Sequence, residues 1–117
     1  MGSGYRVDML DFTESLTRLP THDALTTVGG QWTLVKVDAR IGRISFRPAA
    51  DVVLSMATLA DEASVDLGTQ KYLTLDAGAL VEYTIRRDLC SGCTATQEYY
   101  VGHATDAVRV EVTVEVG

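Results

Sequence analysis

The chain has 117 residues, 46% of them hydrophobic, with ten Lys or Arg against sixteen Asp or Glu and a net charge of −6. This length suits one domain that buries roughly two-thirds of its unfolded surface, so a single core can form without staples. The acidic balance argues against a nucleic-acid partner held by counterion release, and no apolar run approaches the ~18 residues of a membrane-spanning helix.

The N-terminus carries no basic-plus-apolar leader, and Arg6 stands where a myristoylation motif needs Ser or Thr. A cytoplasmic protein is expected. Residues Asp8 to Leu19 form the one helical candidate, with Met9, Leu10, Phe12, Leu16 and Leu19 gathering on one side and Pro20 stopping the pattern. Thr13, Ser15 and Thr17 weaken it, so an extended arm with apolar anchors is the alternative. Thr21 to Gly30 reads as turn-rich. Residues 1–30 are therefore expected as an arm or short helix plus a turn, and 31–117 as the folded body.

From Gln31 onward the chain alternates short apolar–polar runs with turn residues, the pattern of stacked sheets. Strands are expected at Trp32–Ala39, Ile41–Arg47, Val52–Ala57, Lys71–Leu75, Leu80–Arg87, Thr94–Val101 and Ala107–Val116. In the last, Val108, Val110, Val112, Val114 and Val116 alternate with Arg109, Glu111, Thr113 and Glu115, giving one dry face and one wet face. The Asp88–Cys93 loop reads as a hairpin, which makes Leu80 to Val116 a three-strand meander. The expected fold is an all-β antiparallel sandwich of seven or eight strands, with a jelly roll among its arrangements.

Chemistry is sparsely signalled. Cys90 and Cys93 flank a Cys-x-x-Cys spacing, but strands on both sides argue against a redox couple, and His22 and His103 are the only further soft ligands for a zinc site. A local disulfide or two free thiols are the remaining readings. His22-Asp23, or His103 with Asp106, can orient an imidazole toward Ser91 or Ser64, yet no nucleophile-elbow motif frames them. Neither paired catalytic carboxylates nor a phosphate-binding glycine loop can be named. The expectation is a non-enzyme without cofactor or metal. Lys36, Arg40, Arg43 and Arg47 place four of the ten basic residues within twelve positions, either a local positive face or solvated strand ends. Trp32, Tyr72, Tyr83, Tyr99 and Tyr100 are core and cross-strand residues, or a sugar-binding platform.

The succession GGQWTLVKVDARIGRISFRP, VVLSMATLA, YLTLDAGALVEYTI and EYYVGHATDAVRVEVTVEVG resembles the small β-sandwich virion proteins of tailed bacteriophages. That resemblance implies a structural role: decorating or cementing a capsid, or sitting at a tail or connector surface. It also implies a homo-oligomer, most often a trimer, docked on a major capsid or other virion protein, and a virion location. Met9, Leu10, Phe12, Leu16, Leu19, Lys36, Arg40, Arg43 and Arg47 are the assembly residues expected on this reading. A carbohydrate- or cell-surface-binding module is the alternative.

Overall fold

The computed structural model of the chain describes residues 10–12, 21–38, 41–56, 59, 63–84 and 96–116. Among these every regular element is a strand: β1 Leu10–Phe12, β2 Thr21–Thr26, β3 Trp32–Asp38, β4 Ile41–Pro48, β5 Val52–Ser55, β6 Leu73–Leu75, β7 Val81–Thr84, β8 Thr96–Gly102 and β9 Arg109–Val116. They form a five-stranded sheet in the order β1-β3-β8-β5-β6 and a four-stranded sheet in the order β2-β9-β4-β7. Only β1 runs parallel to its neighbour; every other pair is antiparallel.

The alternation of β9 works as its sequence demands. Val108, Val110, Val112 and Val114 are buried, while Arg109 and Glu111 between them are exposed. These valines meet Leu25, Ile44 and Phe46 of their own sheet and Val35, Val37, Val52, Leu54, Leu75, Tyr99 and Val101 of the other in one cluster, so the two sheets form a sandwich-like body around a shared interior. Phe46 lies 5.6 Å from Tyr99, ring centre to ring centre, a tilted contact that joins the sheets, and 6.3 Å edge-on from Tyr83 within its own sheet.

A second, smaller cluster explains why all four residues of β5 are buried. Trp32, Leu34, Val53 and Tyr100 point away from the main core and are covered by Leu59, Ala63 and Val65 of the β5–β6 connection. That connection is pinned by Trp32 N–H to Ala63 O, by Val65 N–H to Gly30 O, and by the Trp32 indole donating to Gln70 Oε1 at 2.8 Å. The five-stranded sheet is thus packed on both sides here.

Strand pairing is nested. β2 pairs with β9, β3 with β8, β4 with β7 and β5 with β6, as in one long hairpin whose tip is the β5–β6 connection. Rolling that hairpin brings β9 against β4 and β8 against β5.

Four sequence expectations change. Leu10–Phe12 is a strand rather than part of a helix, and the rest of Asp8–Leu19 lies outside the described residues. Thr21–Thr26 is a six-residue strand, because its threonines suit an extended edge and Leu25 reaches the core. With these two the strands among the described residues number nine rather than seven or eight, and both belong to the sheets. The meander is replaced: β7 and β8 lie in different sheets and do not pair, and the expected Asp88–Cys93 hairpin loop lies outside the described residues.

Candidate interaction face

Because the β5–β6 connection covers part of one sheet, the outer surface of the four-stranded sheet is the open sheet face among the described residues. Its side chains are the polar halves of four alternating strands, aligned by register into rows. One row runs Ala24 (β2), Glu111 (β9), Arg47 (β4); the next runs His22, Thr113, Ser45, Glu82; a third runs Glu115, Arg43, Thr84. Small residues in the middle, Ala24, Thr113 and Ser45, leave two open grooves of about 520 and 200 Å³ that share His22 and Thr113.

The charges on this face are balanced across strands. Arg43 pairs with Glu115 across β4 and β9 and lies 3.7 Å from Glu82 on β7. Its hydrogen bond to Glu115, then the charges of Glu115 and Glu82, raise the guanidinium pKa above its ordinary value. Arg109 donates to Glu111 at 3.0 Å, and His22 Nδ1 shares a 2.8 Å hydrogen bond with Thr113 Oγ1. Arg43, Glu82, Arg109, Glu111 and His22 are exposed and Glu115 and Thr113 are half-buried, so the pairs set pattern more than stability.

The expected assembly residues scatter. Leu10 is 7% exposed and belongs to the main core, so it is unavailable for docking. Phe12 is in β1, while Met9, Leu16, Leu19 and Arg40 lie outside the described residues. Lys36 sits on β3, in register beside Glu98, in one sheet, and Arg43 and Arg47 sit on β4 in the other. Among the described residues the basic run is therefore divided between sheets, because β3 and β4 do not pair.

The aromatic platform is likewise absent as drawn. Trp32, Tyr99 and Tyr100 are all 3% exposed or less, and the Tyr100 hydroxyl donates to Leu59 O at 2.8 Å beneath the covering connection. Burial also pushes the Tyr99 phenol up to about 12.

Neither candidate histidine meets a carboxylate among the described hydrogen bonds. His103 Nδ1 accepts the backbone N–H groups of Thr105 and Asp106 at 3.1 and 2.9 Å, shaping the β8–β9 loop. Ser64 bridges to Gln31 and its carbonyl accepts from the Gln70 amide; Ser91, Cys90 and Cys93 lie outside the described residues. No group of three or more His, Cys, Asp or Glu is placed to hold a metal, and no helix long and apolar enough to cross a membrane occurs, in both cases among the described residues.

Sequence reasoning passed over His22, Ser45, Glu82 and Thr113 as a set. The signal available was the wet half of β9, whose polar positions must lie on the same side as those of whichever strands flank it.

Searches against protein families, curated proteins and solved structures find no match to the chain.

Proposed function

We propose that this protein is a structural assembly protein with a jelly-roll body, a component of a tailed-phage virion that decorates or stabilises a capsid by joining copies of itself and docking on a shell protein. The observation carrying the fold half of this reading is the nested pairing of β2 through β9, which gives the sheet orders 2-9-4-7 and 3-8-5-6 of two rolled Greek keys. β1 extends the second sheet. The functional half rests on the open four-stranded face with its patterned charges; the phage resemblance of the sequence supplies the setting, including a tail or connector position as a variant of it.

Assembly through such a body needs surface contact rather than chemistry, and a rigid two-layer scaffold with a patterned charged face suits it. Deleting residues 1–20 is a poor test of arm docking, since it removes β1 and takes Leu10 out of the core. Light scattering on the full chain from micromolar to millimolar concentration is direct: a closed oligomer is expected, with three copies around the contact that the resemblance implies, and a monomer throughout would overturn the reading. The carbohydrate-binding alternative loses Trp32, Tyr99 and Tyr100, which are buried, and keeps Tyr72 as its exposed aromatic.

A further inference from the structure

The rows of the open face read the same from either side once charges are exchanged. Between β9 and β4, each anion or hydroxyl on one strand has its counterpart on the other: Glu115 opposite Arg43, Thr113 opposite Ser45, Glu111 opposite Arg47. Further out, His22 on β2 and Glu82 on β7 occupy the same row. Leu80, one residue before β7, continues the alternation of Glu82 and Thr84 onto this face and is 67% exposed, the most exposed large hydrophobic residue described. Its counterpart in the row is Ala24, a small apolar side chain.

We infer that two copies of this chain pair face to face through the four-stranded sheet, about a two-fold axis running along the strands between β9 and β4. That axis keeps each row over itself and exchanges β9 with β4 and β2 with β7. Glu115 then faces the second copy's Arg43, Glu111 its Arg47, Thr113 its Ser45, His22 its Glu82, and Ala24 its Leu80. Each contact occurs twice, as an isologous interface requires. Arg109, in the adjoining row, meets no like charge, because the position opposite it, one residue past β4, is Ala49. An aligned crossing of ~30° between twisted sheets accommodates the packing.

The occupant is fixed by this self-complementarity: a partner with a single-sign surface would leave half of the face repelled. Strand spacing of ~4.8 Å and a rise of ~3.4 Å per residue make the face roughly 450 Å². A stable standard interface contributes about 800 Å² per partner, so charge pattern rather than area must hold the pair, and pairing must be salt-sensitive.

This inference rests on the assembly reading and adds a two-fold contact to it, which is separate from any three-fold contact made elsewhere on the surface. The test uses two full-length variants, Arg43→Glu with Arg47→Glu, and Glu111→Arg with Glu115→Arg, each checked for sheet content by circular dichroism. By light scattering at low salt, each variant alone should run at half the mass of the wild-type chain. An equimolar mixture should recover the wild-type mass, because the exchanged charges complement one another across copies. The wild-type chain itself should halve in mass as salt rises from about 0.01 M to about 1 M, where the screening length falls from ~30 to ~3 Å. Variants that keep the wild-type mass, or a mixture that stays at half, would overturn the two-fold face while leaving assembly through another surface standing. A wild-type monomer at low salt would contradict both.

Discussion

A methyl group added at Gly102 would lie 2.9 Å from Val65 Cγ2 and 3.1 Å from Trp32 Cε3. Glycine at the end of β8 therefore allows the covering connection to sit down on Trp32. Gly102→Ala should lower stability by about 1–3 kcal/mol, the usual range for overpacking, and part of that loss should return in a Val65→Ala background; equal losses in both backgrounds, read by urea unfolding, would deny the clash. Tyr99 offers a second measurement. Its phenol titrates near 12 in the folded chain because it is buried, with the neighbouring Tyr83 adding to the effect. A raised folded pKa means that stability is fully present below the unfolded value of about 10 and falls as pH climbs from there toward 12. The loss approaches about 2–3 kcal/mol at 1.36 kcal/mol per unit. Tyr99→Phe should flatten this alkaline decline with little change at neutral pH, and an unchanged decline would assign it elsewhere.

At the scale of elements, the corner where β2 turns toward β3 is tied to the start of β9. The Thr27 hydroxyl accepts from Val108 N–H at 2.8 Å and donates to Asp106 O at 3.0 Å, while Thr27 N–H donates to Val108 O at 2.9 Å. Thr27→Val keeps the shape but strands the buried Val108 N–H, so a loss of about 1–3 kcal/mol is expected. A smaller loss, measured by thermal unfolding, would show that water replaces the hydroxyl. Much of this level was legible beforehand. Strands β3 through β9 follow from alternation, since a period of two admits no other element. β2 was missed because THDALT carries one strong apolar anchor, Leu25, and its threonines and Asp23 look like turn chemistry. β1 was missed because Leu10 and Phe12 satisfy either period over so short a span. Pairing was illegible in principle: alternation says which side of a strand is dry but not which strand lies beside it. For that reason the run from Leu80 to Val101 resembled a hairpin, although β7 and β8 belong to different sheets. The face of Arg43, Glu82, Glu111 and Glu115 was hidden for the same reason, since it exists only once β4, β7 and β9 are known to be neighbours.

For the whole molecule, the two sheets have unequal outer surfaces. One is partly roofed by the connection at the tip of the rolled hairpin; the other presents balanced charge in register, with Leu80 exposed at its rim. The proposed assembly uses the second surface. The most direct measurement is the solution mass of the unmodified full chain at low ionic strength. The account predicts an even multiple of the 12.6 kDa protomer, halved by high salt; a mass of one protomer at every concentration and ionic strength would contradict it.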